Sequence, residues 1–169
     1  MRRLGAVALA VLLVALVVAC GSGSSLASPP PCASPTAAPT PARGARGLDL
    51  QYSRTVNDGT KQLAQLLAEF RAAYPDGKFY RENAFRDSFV TYEGNAGCVA
   101  ANLKALAPVP VRFTDFDKNL KALMADYQAA LAAGHDAVAH RNVSSYRDWD
   151  QSMDALATRI TEAIKTISN

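Results

Sequence analysis

The two histidines of the chain are the first residues to test for chemistry. His135 and His140 lie five positions apart, and Asp136 follows the first of them directly. A spacing of five places the histidines on different faces of a helix, whereas Asp136 and His140, four apart, share one face. A zinc site needs three or four ligands. These three residues are therefore only weak candidates for a metal site, and we expect no metal or other cofactor.

Motifs for catalysis and cofactor binding are missing from the sequence. None of the glutamates Glu69, Glu82, Glu93 and Glu162 is followed by a histidine three positions later, as a di-iron bundle requires. The chain has no C-x-x-C-H motif for haem, no G-x-S-x-G nucleophile motif and no P-loop. We therefore expect a protein that is not an enzyme.

The first 23 residues have the pattern of a secretory signal. Arg2 and Arg3 precede an apolar run that ends at Ala19, and small residues surround Cys20. The run is short for a transmembrane helix, which needs ~20 apolar residues. The sequence Val-Val-Ala-Cys that ends at Cys20 resembles the lipobox of bacterial lipoproteins.

This resemblance implies that residues 1–19 are a lipoprotein signal peptide and that Cys20 is the lipidated residue. In that family the signal is cut just before the cysteine, and the new amino terminus is acylated with fatty acids such as palmitate. Several acyl chains anchor a protein stably, since each buried CH₂ contributes about 0.8 kcal/mol. The resemblance therefore implies a protein anchored to the cell membrane on its extracytoplasmic face.

Residues 20–47 form a second segment, which is rich in proline, alanine and serine. Six of the nine prolines lie here, and Leu26 is the only large apolar residue. Such a segment cannot bury enough apolar surface to offset the entropy of ordering, so its composition predicts a disordered tether. Its prolines favour an extended conformation of ~3.1 Å per residue, which would hold the next domain tens of ångströms from the lipid.

Two cysteines remain if Cys20 is lipidated. Cys32 lies in the tether, and Cys98 lies in a predicted helix two positions after the apolar-stripe residue Ala96. An even number of cysteines in an oxidising compartment suggests one disulfide, and the alternative is two free thiols. A bridge would fold the tether back along the domain and leave eleven residues between Cys20 and Cys32.

Residues 48–169 change to helical periodicity. Small or apolar residues recur at spacings of three and four in four stripes of about 20 residues or more. Turn residues separate the stripes at Pro75-Asp76-Gly77, at Pro108-Val109-Pro110 and at His140-Arg141-Asn142. Short connections make consecutive helices antiparallel. The sequence therefore predicts an all-α fold, an antiparallel up-down-up-down four-helix bundle behind a disordered tether.

Glycines inside the predicted helices need a reason, because each costs ~1 kcal/mol relative to alanine. In the first helical hairpin Gly59 lies close to the level of Gly97. This pair would allow tight helix packing or leave a gap for a small ligand, and a third reading is a helix break at residues 93–97. Gly134 lies at the level of Trp149 and would make room for the indole ring.

The charge of the domain excludes one class of function. Four of the 18 basic residues precede Leu48 and all 15 acidic residues follow it, so the domain has 14 basic and 15 acidic residues, a net charge of −1. Nucleic-acid-binding proteins show a basic face, so we expect no nucleic-acid partner. The sequence favours a lipoprotein that binds an envelope protein partner or has a structural role. The alternative is a module that binds a small ligand or metal.

Overall fold

A computed structural model describes residues 26–32, 44–75 and 82–167 of the chain. The predicted signal peptide (1–19) and the predicted lipidation site Cys20 lie outside these residues. The described residues are helical apart from turns and connections, and they contain no strand. The predicted all-α fold is therefore confirmed.

Four α-helices make up the fold, and a short 3₁₀ turn (Val111–Phe113) leads into the third. They are α1 (Ala45–Ala73), α2 (Asn83–Lys104), α3 (Thr114–Ala139) and α4 (Val143–Lys165). Each packs against the next along the chain, and α4 returns to α1, which gives the up-down-up-down bundle. None of the four is long and apolar enough to cross a membrane. α1 begins three residues earlier than predicted, within the segment assigned to the tether.

The core lies between the helices and is filled by residues of the four apolar stripes. Phe85 and Phe89 of α2, Met124 of α3 and Met153 of α4 are completely buried. Each buried side chain of this size contributes about 1.5–3 kcal/mol. Where α2 and α4 begin, aromatic rings from three helices pack together: Phe70, Phe85, Phe89, Tyr92, Tyr146 and Trp149.

Arg71 joins α1 to α4 at the same end of the bundle. Its Nε donates to Asp150 Oδ1 (2.9 Å) and its Nη1 donates to Asp154 Oδ1 (2.7 Å). Its Nη2 also donates to the backbone carbonyl of Asp150 (3.0 Å). The planar guanidinium thus holds two turns of α4 from one position on α1.

Residues 26–32, which we call the strap, pack against the bundle. This finding corrects part of the prediction of a disordered tether. Leu26 packs against the hydrophobic core. The rings of Pro29 and Pro30 lie against Gly94 of α2, where an added Cβ would be 2.9 Å from Pro30 Cδ. Cys32 is bonded to Cys98, with 5.2 Å between the Cα atoms, as disulfide geometry requires. The predicted bridge and the folding back of the tether are therefore confirmed.

Candidate functional site

A groove lies between the end of α3 and the start of α4. Its volume is about 550 Å³, and it is open to solvent along one side. Apolar surface comes from Trp149 and two alanines of α3. Polar groups at its surface belong to Asp136, His140, Ser145, Asp148 and Ser152.

The α3–α4 turn positions this groove. The N–H of Asn142 donates to the carbonyl of Ala137 (2.9 Å), and the N–H of Arg141 donates to that of Val138 (3.2 Å). These two bonds close the helix as a Schellman motif, which requires a left-handed residue. Arg141 takes that conformation, with φ 53°. Asn142 Oδ1 then accepts the N–H of Ser145 (3.2 Å) and starts α4.

Trp149 forms the inner wall of the groove and is only 2% exposed. Its Nε1 is buried and has no hydrogen-bond partner. An unsatisfied buried donor costs about 1–3 kcal/mol. The indole packs on Gly134, where an added Cβ would lie 2.6 Å from Nε1 and 2.7 Å from Cζ of Phe89. The prediction that Gly134 makes room for the indole is confirmed.

The three candidate metal ligands do not come together. Asp136 and His140 both line the α3–α4 groove, but His140 Nδ1 donates to the backbone carbonyl of Asp136 (2.8 Å). His135 instead contacts α2, with Nδ1 2.7 Å from Glu93 Oε2. Residues at spacing five point in different directions on a helix, which is the reason. Within residues 26–32, 44–75 and 82–167, no three His, Cys, Asp or Glu side chains group as metal ligands.

The structure does not support a small-ligand gap between Gly59 and Gly97, which is one of the three readings of this pair. The side chain of Leu103 covers Gly59, and an added Cβ there would lie 2.7 Å from Leu103 Cδ2. Gly97 faces α3 instead, where Leu131 Cδ1 would be 3.8 Å from an added Cβ. Residues 93–97 remain within an unbroken α2, so the third reading is wrong as well. Close packing is the reading that the structure supports at Gly59.

A second, smaller groove of about 360 Å³ lies between α1 and α2. Phe70, Tyr74 and Tyr92 line it with aromatic surface, and Glu69 and Asp87 are its two carboxylates. Tyr74 is held there, because its hydroxyl donates to the carbonyl of Ala84 (3.0 Å). The sequence analysis missed this groove. Its only sequence signal is a row of polar residues at helical spacing along α2, beside the apolar stripe of that helix. A solvated helix face produces the same pattern.

Buried tyrosines provide the polar part of the core. The hydroxyls of Tyr92 and Tyr127 are 3.0 Å apart, and the Tyr52 hydroxyl donates to Asp117 Oδ1 (3.0 Å). Burial raises the pKa of Tyr92, Tyr127 and Tyr146 above the ordinary value. Burial, and then the hydrogen bond to the Asp117 carboxylate, raises the pKa of Tyr52. These phenols therefore stay neutral, and they fix helix packing.

Two polar side chains of the α3–α4 groove bind backbone carbonyls within their own segment. Ser152 Oγ donates to the backbone carbonyl of Trp149 (2.7 Å), as His140 Nδ1 does to that of Asp136. The groove therefore offers carboxylates, hydroxyls and one aromatic wall to a ligand. Comparison of the chain with protein families, with curated proteins and with solved structures gives no match.

Proposed function

We propose that the protein is an extracytoplasmic lipoprotein, anchored to the cell membrane through Cys20, whose helical ectodomain acts without catalysis. It binds a protein partner of the envelope or has a structural role there. The Cys32–Cys98 bridge carries this proposal. Disulfides form and persist in oxidising compartments and are rare in the cytosol. The bridge thus supports the export that the lipobox-like sequence before Cys20 implies.

The polar contacts of the bundle support a scaffold more than a reaction centre. Tyr92 pairs with Tyr127 between α2 and α3, and Tyr52 with Asp117 between α1 and α3. Arg71 holds α4. Each of these contacts fixes one helix against another, so these polar side chains are used for packing.

Cell fractionation with a palmitate analogue tests the anchor. Wild-type protein should enter the membrane fraction and carry the label, whereas Cys20→Ser should lose both. Cys32→Ser is the matched control, because it removes another cysteine of the same segment and should leave labelling and fractionation unchanged. Label on Cys20→Ser, or wild-type protein in the cytosol, would contradict the proposal.

A small-ligand module is the second candidate function, and Trp149 favours it. Trp149, whose buried indole N–H is unpaired, and the two carboxylates Asp136 and Asp148 line one groove. Native mass spectrometry of protein extracted gently without reductant separates the candidates. A bound protein favours the first function. Excess mass of a small molecule that is lost on denaturation favours the second, and Trp149, the single tryptophan, then reports binding by its fluorescence.

A further inference from the structure

The outward face of α2 is covered, although it points away from the core. Val90, Gly94 and Cys98 follow one another at spacings of four, so they form a row along one face of the helix. Val90 is 9% exposed and Gly94 is buried, although both lie on the side of α2 turned away from the core residues Phe85 and Ala96. A solvated face of a surface helix would carry polar residues here. The row is therefore a docking surface rather than a solvated face.

The strap occupies this surface. Pro29 and Pro30 lie on Gly94, where a Cβ would be 3.4 Å from Pro29 Cβ and 2.9 Å from Pro30 Cδ. Four residues further along α2, Cys98 holds Cys32 by the disulfide. Glycine is thus the residue that allows the proline rings to approach the helix backbone.

The strap runs in the same direction as α2, and this fixes where the chain leaves the bundle. Its later residue, Cys32, meets the later residue of the helix, Cys98, while Pro30 meets Gly94. Leu26 therefore lies further toward the start of α2. That end of the bundle also holds the α3–α4 turn, whereas α1 begins at the opposite end.

We propose that the disulfide-locked strap holds the bundle close to the lipid surface, with the end that carries the α3–α4 turn nearer to it. The proposal rests on lipidation of Cys20. Six residue steps separate Cys20 from Leu26, so the chain spans at most about 20 Å between them. Without the bridge the first helical residue is Ala45, and the 25 steps to it span up to roughly 80 Å.

Energy transfer to a membrane acceptor tests this arrangement on the lipidated full chain. A dye is placed through an unnatural amino acid at Arg147, or in a second sample at Val111; both are exposed and lie at opposite ends of the bundle. The protein is inserted into phosphatidylcholine–phosphatidylglycerol vesicles that carry an acceptor-labelled lipid. With the bridge intact, we expect efficient transfer from Arg147 and weaker transfer from Val111.

Reduction of the same samples supplies the comparison without any change of sequence. Dithiothreitol is oxidised to its cyclic disulfide while Cys32 and Cys98 each gain a proton and become thiols. We expect loss of most of the transfer from Arg147 and loss of the difference between the two positions. The double variant Cys32→Ser/Cys98→Ser should behave as the reduced protein, with circular dichroism confirming that the helices persist.

Different results would contradict the strap proposal and the anchor proposal. If vesicle binding requires Cys20 but transfer is the same before and after reduction, the strap proposal is overturned and the anchor stands. If Cys20→Ser binds the vesicles as well as wild type, the anchor itself is wrong. Greater transfer from Val111 than from Arg147 in the oxidised protein would overturn the orientation.

Discussion

At Gly134 a side chain is excluded by two rigid rings. An alanine Cβ there would lie 2.6 Å from Trp149 Nε1 and 2.7 Å from Phe89 Cζ. Overpacking of this kind costs ~1–3 kcal/mol. We expect Gly134→Ala to lower the free energy of unfolding by that amount, although alanine favours helix. Denaturant unfolding followed by circular dichroism measures the change.

Gly97→Ala is the matched control, because its Cβ would meet only Leu131 Cδ1, at an ordinary 3.8 Å. Relief of the glycine penalty should stabilise that variant by up to ~1 kcal/mol. Equal effects of the two substitutions would show that Gly134 is not set by the aromatic rings.

Arg141 is a second residue at which the backbone conformation determines the effect of a substitution on stability. It is the one non-glycine residue with positive φ in the described part of the chain, at the left-handed position of the α3–α4 turn. Left-handed backbone costs most residues roughly 1–2 kcal/mol, and glycine avoids this cost. We expect Arg141→Gly to raise the denaturation midpoint by an amount equivalent to about 0.5–1 kcal/mol.

Arg141→Ala separates the backbone from the side chain. Alanine keeps the strain and removes the guanidinium, so its stability should stay near that of wild type. A gain in Arg141→Ala equal to that in Arg141→Gly would mean that the arginine side chain, rather than φ, is unfavourable.

The sequence predicts contacts between helices well where spacing alone determines them. Gly134 and Trp149 fall at the same level of a short helical hairpin, and the structure confirms that they are in contact. The same argument failed for Gly59, because nine residues connect Ala73 to Asn83 and the turn residues do not set the register of α2 along α1, where Phe70 stacks on Tyr92. In that register Leu103, rather than Gly97, lies against Gly59 and fills the space between the helices.

Among the elements, Arg71 links α1 to α4 through hydrogen bonds and ion pairs with Asp150 and Asp154. Arg71 is about one third exposed, so solvent screens its ion pairs, yet it also binds a backbone carbonyl. We expect Arg71→Met to lower the free energy of unfolding by about 1 kcal/mol. The loss should shrink at high salt. Denaturant curves at two ionic strengths measure both effects.

Arg159 offers a control on the same helix that Arg71 binds. Its pair with Asp126 is 2.8 Å long, and both side chains are about half exposed. Such pairs contribute little, so Arg159→Met should change the free energy of unfolding by a few tenths of a kcal/mol at most. A loss at Arg159 equal to that at Arg71 would contradict a special role for the α1–α4 contact.

The helices were predictable as elements, whereas the strap was not. Periodicity and turn residues give four antiparallel helices, because the burial of one face per helix dominates their energetics. Composition gives only the average tendency of residues 20–47 to stay unfolded. One leucine, two prolines opposite Gly94 and a covalent bond to Cys98 are enough to order residues 26–32. Composition alone cannot predict such specific contacts.

For the whole molecule, the tyrosine hydroxyls in and around the core limit the stability of the fold at alkaline pH. The pKa values of Tyr52, Tyr92, Tyr127 and Tyr146 are raised, chiefly by burial. A raised pKa favours the neutral phenol in the folded state. The stability it contributes is complete below the ordinary tyrosine pKa of about 10 and is lost as the pH rises above it.

We therefore expect cooperative unfolding above about pH 10, with these phenolates appearing together with the loss of helix. Phenolate absorbance and circular dichroism, recorded on one sample, measure the two events. Protein unfolded in guanidinium is the control, because its six tyrosines should ionise near their ordinary pKa with no helix to lose. Phenolates that form near pH 10 in an intact bundle would contradict the expectation.

The candidate site was predictable only in part. Sequence singled out Asp136 and His140, which do share a groove, and His135, which does not. It could not supply Glu93 as the partner of His135, because that contact depends on the rotation of α3 against α2. The proposed location rests on short motifs and cysteine chemistry, whereas ligand and partner depend on surface shape.

The disulfide also decides how mechanical load would pass through the molecule. The covalent loop from Cys32 to Cys98 encloses all of α1. A pull between the amino terminus and a partner held by α3 or α4 would pass through the sulfur atoms directly into α2. α1 would carry none of that tension and would not be peeled from the bundle first. The first helix is thus shielded from force, and α2 and its contacts with α3 bear it.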